Sequence, residues 1–219
     1  MKSTDTTHSQ DAAASKHWIQ KVGRLSAPLL LGQLLSKGLN FVVFYLITQY
    51  LGLEGFGVWV WSFSLVAVAA AAWSFGLQTW LAKTSAQITD DISIVPNLFK
   101  KVVIIRVCAL MFVSLTGASW LLLIGLPSTT PEQPHLIIGT LIAIFIGFLF
   151  RTSSEVCGAY LRGQLLTWPD GVALFSARFA FVTLLFGWSL TTPMSLQSVG
   201  LCFCLSEAIA AIGDALYLF

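Results

Sequence analysis

LLLGQLLSKGLNFVVFYLITQYL, residues 29–51, is the stretch whose reading decides the fold. Its 23 residues carry a single charge, and a helix needs only about 20 apolar residues to cross a bilayer. The run therefore reads as a transmembrane helix, but not as a plain lipid anchor. At about 100° per residue, Lys37, Asn40 and Thr48 fall within roughly 60° of Gln33, with Ser36 at the edge of this polar stripe. Lys37 lies ~12 Å inside the end marked by Leu29, at about 1.5 Å rise per residue. An ammonium at that depth needs a partner, a wet cavity or a ligand.

The rest of the chain extends this reading. Of 219 residues, 56% are hydrophobic and 10% charged, against roughly 25% charged in soluble domains. This composition defines an all-α integral membrane protein. A formal net charge of +2, with no Lys/Arg run interleaved with aromatics, is too small to suggest nucleic acid, and no such partner is expected. Residues 1–24 form a polar tail with no secretory h-region, read as disordered and cytoplasmic, and residues 25–219 form one transmembrane unit. Apolar runs predict six helices at about 29–51, 57–81, 102–126, 136–161, 172–190 and 196–219. Leu51-Gly52-Leu53-Glu54-Gly55-Phe56-Gly57 separates the first two, which such a short joint makes antiparallel neighbours. None of the 12 Lys and Arg falls in the three connections assigned to the outer side, so both ends are expected inside. Trp59, Trp61, Trp120 and Trp188 map to the outer interface, and Trp18, Trp80 and Trp168 to the inner one.

Ionisable groups within the spans are the strongest functional signal, since each costs about 2.5 kcal/mol or more at a helix centre unless satisfied. Lys37, Arg106, Arg151 and Arg178 fall in the inner half, Glu207 near the midplane and Asp214 below it. Glu207 and Asp214, seven apart, share a face of the sixth helix, and Arg178 on the fifth lies at a depth between them. Arg178 is thus either a salt-bridge staple or part of a cationic cavity. Arg151 and Glu155, four apart, make an intrahelical ion pair, with Arg162 snorkelling to the interface. Lys37 has no acidic residue in its own helix. It either snorkels or lines a cavity with Gln33 and Asn40, where it would suit an anionic lipid headgroup.

Catalytic and metal chemistry read poorly. His8, His17 and His135 lie outside the spans, and no nucleophile elbow or phosphate-binding loop is present. Cys108, Cys157, Cys202 and Cys204 sit in apolar runs, and the spacing of the last two sends them to opposite helix faces. Neither an enzyme, a cofactor nor a metal site is expected.

Gly32-Gln33-Leu34-Leu35-Ser36-Lys37-Gly38-Leu39-Asn40 resembles the first helix of the polysaccharide flippases in the multidrug/oligosaccharidyl-lipid/polysaccharide exporter superfamily. The turn Leu51–Gly57, Gly76-Leu77 and Leu161-Arg162-Gly163 are similar to theirs in the same order, so that the resemblance covers about residues 25–219. It implies a carrier that flips an undecaprenyl-pyrophosphate-linked oligosaccharide across the bacterial inner membrane, with a central cavity for the anionic headgroup. Lys37, Arg178, Gln33, Asn40 and Glu207 would line that cavity. Family members usually carry two six-helix lobes, and this chain resembles one. A truncated product, or pairing with a second lobe or copy, is therefore expected. Ser74-Phe75 stands where relatives often have an acidic residue. The alternatives are a cation-coupled drug exporter using Glu207 or Asp214, and a non-transporting scaffold for glycan assembly.

Overall fold

A computed structural model of the chain describes residues 5–74, 76–87, 100–105, 107–108, 111–112 and 134–218. Among these it is all-helical: α1 (Asp5–Ser74), α2 (Leu77–Gln87), α3 (Pro134–Gly163), α4 (Thr167–Thr191) and α5 (Leu196–Leu218). Four stretches are long and apolar enough to cross a membrane: Ala27–Ala71, Ile137–Gly163, Thr167–Thr191 and Leu196–Tyr217. The protein is membrane-embedded. The predicted helix at 102–126 lies largely outside the described residues, as do Arg106, Trp120 and the proline-rich turn after it. Among the described residues four such stretches are thus counted where the sequence predicts six spans, the first of them containing the predicted spans on both sides of Gly52.

The first of the four is too long to be one crossing. Its 45 residues would extend ~67 Å if straight, about twice the hydrocarbon thickness. The chain folds instead at Gly52, where φ 71° and ψ 178° interrupt the helix. The rings of Phe44 and Phe56 prove the reversal. An unbroken helix would separate these residues by ~18 Å along its axis, yet their centroids are 6.0 Å apart. α1 is therefore a hairpin whose limbs are residues 5–51 and 53–74. That backbone conformation is almost confined to glycine, so the break sits at the first of the three glycines of the predicted joint.

Two further differences from the apolar pattern have local causes. The predicted second helix, 57–81, is interrupted by Gly76 at φ 70°, which separates α1 from α2. The backbone of residues 5–24, predicted as disordered, continues the first limb as helix. Ala12, Ala13, Ala14, Gln20 and Lys21 are all good helix formers there.

Contacts between helices fix the directions. Along α3 and α5, Gly139 faces Gln197, Gly147 faces Phe203 and Ser154 meets Asp214, so the two run parallel. α4 runs against both, with Trp168 beside Tyr217 at 6.2 Å at one end of the α4–α5 pair. Gly32 of the first limb abuts Gly171 near the start of α4, where a Cβ on Gly171 would lie 2.7 Å from the Pro28 carbonyl oxygen. Two glycines let the backbones touch, the small-residue device of membrane helix pairs. Val43 and Ile47 then join the same core as Phe181 and Leu185, so the first limb and α4 are parallel.

That core is aromatic. Trp59, Phe63, Phe148, Phe181 and Phe203 meet with centroids 5.3 to 6.4 Å apart, several of them edge to face. Such pairs contribute about 0.5–1.5 kcal/mol each beyond burial. A second cluster of Leu81, Val102, Val156 and Ala159 holds α2 and residue 102 against α3. Much of the first limb's exposed surface is apolar too, with Leu30, Leu31, Leu34, Leu35 and Phe41 all exposed.

Candidate functional site

Polar side chains of the bundle collect at one end, around the α3–α4 turn. α3 closes with Leu165 in the left-handed region at φ 61°, the Leu166 N–H donating to Leu161 O at 2.9 Å and the Leu165 N–H to Arg162 O at 3.1 Å. This Schellman arrangement reverses the chain within three residues. It thereby sets Arg162, near the end of α3, against Asp170 in the first turn of α4, with Nη1 2.6 Å from Oδ2. Sequence reasoning read Arg162 as snorkelling. The structure gives it a carboxylate that is itself buried.

Three turns earlier on α3, Arg151 Nε donates to Glu155 Oε1 at 3.2 Å, the pair expected from i, i+4 spacing. The guanidinium also lies 5.5 Å from the centroid of the Phe148 ring, a cation–π distance. Gln78 on α2 donates through Nε2 to the other oxygen of Glu155 at 2.7 Å. Gln164 then donates to Ser85 O at 2.9 Å, tying the far end of α2 to the same turn. On the opposite flank of α3, Ser154 Oγ donates to Asp214 Oδ2 of α5.

Arg178 and Glu207 lie deeper. Eight residues beyond Asp170 on α4 and seven before Asp214 on α5, they are about 11–12 Å further from that end. Arg178 Nη2 is 3.0 Å from Glu207 Oε1, and their side chains are only 11% and 4% exposed. Of the two carboxylates on α5, Glu207 is the one that meets the guanidinium. The pair is a staple between α4 and α5, with both charges neutralised inside the bundle.

The stripe on the first limb is dispersed by comparison. Thr48 is satisfied within its own helix, Oγ1 donating to Phe44 O at 2.8 Å. Asn40 and Ser36 are half-buried, while Gln33 and Lys37 are exposed. No acidic side chain lies within ion-pair distance of Lys37 among the described residues. Thus the structure joins Arg178 to Glu207, while Lys37, Gln33 and Asn40 stand on a different helix and make no ion pair with either. The polar contacts that sequence reasoning missed are Asp170, Gln78 and Ser154. Asp170 could have been found from its position eight residues after Arg162 across a short turn; the other two depend on which helices are neighbours.

Among the described residues, no group of three His, Cys, Asp or Glu side chains could hold a metal ion. The four cysteines are free, with Cys157 and Cys202 buried. No protein-family model, curated protein or solved structure matches the chain.

Proposed function

We propose that this chain is one lobe of a carrier that flips an undecaprenyl-pyrophosphate-linked oligosaccharide across the bacterial inner membrane, six spans in all with both ends cytoplasmic. One observation carries the reading: Lys37 stands exposed on the first limb with no acid at ion-pair distance among the described residues. Arg151, Arg162 and Arg178 are each neutralised by a carboxylate. A pyrophosphate headgroup supplies the anion that Lys37 lacks, and Gln33 and Asn40 supply neutral hydrogen bonds on the same side of the helix. Arg178 and Glu207 act as structure in this scheme, bracing the wall behind the site. A second lobe or a second copy encloses the lysine from the exposed side. The order of short motifs shared with the polysaccharide flippases supports the same reading.

The test is flipping of a fluorescently tagged lipid-linked glycan in membranes with matched protein abundance. It uses the full reading frame, with any second lobe that it encodes. Lys37→Ala is expected to slow flipping at least about tenfold, the loss of one charge-assisted contact. Lys37→Glu abolishes it, and Lys37→Arg retains most of it. Undiminished flipping by Lys37→Ala overturns the assignment. A wild-type chain that moves no glycan but copurifies with glycan-assembly enzymes replaces the carrier with a scaffold.

A further inference from the structure

Two spans, Ile137–Gly163 and Thr167–Thr191, end at the α3–α4 turn, which therefore lies at one face of the bilayer. α2 is held at the same face. Gln164 Nε2 of the turn donates to Ser85 O, and Gly163 backs onto Ala82 and Ser85. The short helix is two-sided: Leu81 and Ser85 are buried against α3, while Trp80 and Lys83 are exposed. Lys83 falls about 200° around the helix from Leu81, and so points away from the packed side. Leu81 shares its buried cluster with Val102, which brings Lys100 and Lys101, both exposed, alongside α2. The carboxylates of this end are engaged elsewhere, Glu155 with Arg151 and Gln78 and Asp170 with Arg162. Among the described residues none of the three lysines has a carboxylate at ion-pair distance. Ile104 and Ile105, one turn further along the chain from Lys100 and Lys101, are about half exposed at 51% and 55%.

We propose that Lys83, Lys100 and Lys101 form a binding surface for the headgroup of an anionic phospholipid drawn from the surrounding bilayer. The lysines supply positive charge at the level of the headgroups, where each attracts an anionic lipid. Trp80 sits beside them as an interfacial anchor, and Ile104 and Ile105 offer the acyl chains an apolar track leading away from the charges. A zwitterionic lipid carries the same phosphate but adds an ammonium group, which the three lysines repel, so the surface selects net negative charge. Inorganic phosphate matches the charge and lacks the chains. Lys37 is not part of this surface, and binding here does not depend on the chain being a lipid carrier.

The experiment titrates the purified full chain, in micelles of an uncharged detergent, with fluorescent phosphatidylglycerol. Phosphatidylcholine is the zwitterionic reference and inorganic phosphate the soluble competitor. Phosphatidylglycerol is expected to bind at least about tenfold more tightly than phosphatidylcholine. Each single Lys→Gln substitution at the three positions weakens it about fivefold, and Lys83→Gln/Lys100→Gln/Lys101→Gln about a hundredfold. The corresponding triple Lys→Arg variant keeps the charge and retains binding. Equal affinity for the two lipids, or a triple Lys→Gln variant that binds like wild type, overturns the surface. Displacement of the lipid by an equal concentration of inorganic phosphate overturns the phospholipid as its occupant. Should the triple variant fail to fold, the single substitutions carry the test: weakened isotherms support the surface, and three unchanged ones overturn it.

Discussion

Replacing Glu207 by Gln removes the charge but keeps the shape, and so isolates what the Arg178–Glu207 pair contributes. With side chains 11% and 4% exposed, solvent screens the pair little, and the variant strands a guanidinium inside the bundle. Breaking such a buried pair costs about 3–5 kcal/mol in soluble proteins. A helix unfolded within a membrane still finds partial partners, so the lower end, about 3 kcal/mol, is expected here. Arg178→Met strands the carboxylate at a similar cost. The double variant Arg178→Met/Glu207→Met removes both charges and is expected within about 1 kcal/mol of wild type. Two single losses of about 3 and a double loss of about 1 give a coupling energy of roughly 5 kcal/mol. The assay is reversible unfolding in mixed micelles by titration with a denaturing detergent. A Glu207→Gln loss below about 1 kcal/mol, or single losses that simply add, refutes the staple.

Three other substitutions address the backbone, each measured by the same unfolding titration. Gly52→Ala forces a Cβ into φ 71°, ψ 178°, and is expected to destabilise the α1 hairpin by about 1–3 kcal/mol. Leu165→Gly relieves the left-handed residue of the α3–α4 turn and is expected to stabilise by about 1 kcal/mol; a loss would mean that the leucine side chain is held in place by packing. Gly171→Leu sets a side chain against the Pro28 carbonyl. Since neither backbone can yield, a loss of about 1–3 kcal/mol is expected, with the first limb separating from α4 before the other helices part.

Properties that repeat along one helix were readable from the sequence; those that need a neighbour were not. The apolar runs located α3, α4 and α5 to within a few residues, because helix ends follow Gly, Pro and polar turns. Arg151 and Glu155 were paired by spacing alone, and the joint between the first two helices by its three glycines. Choosing between Glu207 and Asp214 for Arg178 required a relative depth accurate to about one turn, beyond what ends assigned from hydropathy provide. Asp170 looked like part of a turn because a tight reversal, unseen in hydropathy, is what carries it back to Arg162. Gly32 and Gly171 each read as an ordinary small residue. Only their meeting gives them a role. Lys37 is the opposite case, a lysine whose lack of an acid in its own helix is matched by the absence of one within reach on the described neighbours.

The polar end of the bundle and its aromatic middle differ in what separation would cost. Where Arg162, Asp170, Glu155 and Asp214 gather, water entering a gap can hydrate every group that loses its partner. Where Trp59, Phe63, Phe148, Phe181 and Phe203 interlock, water offers the rings nothing in exchange for their contacts. Parting the helices is therefore less costly among the polar groups than through the aromatic knot.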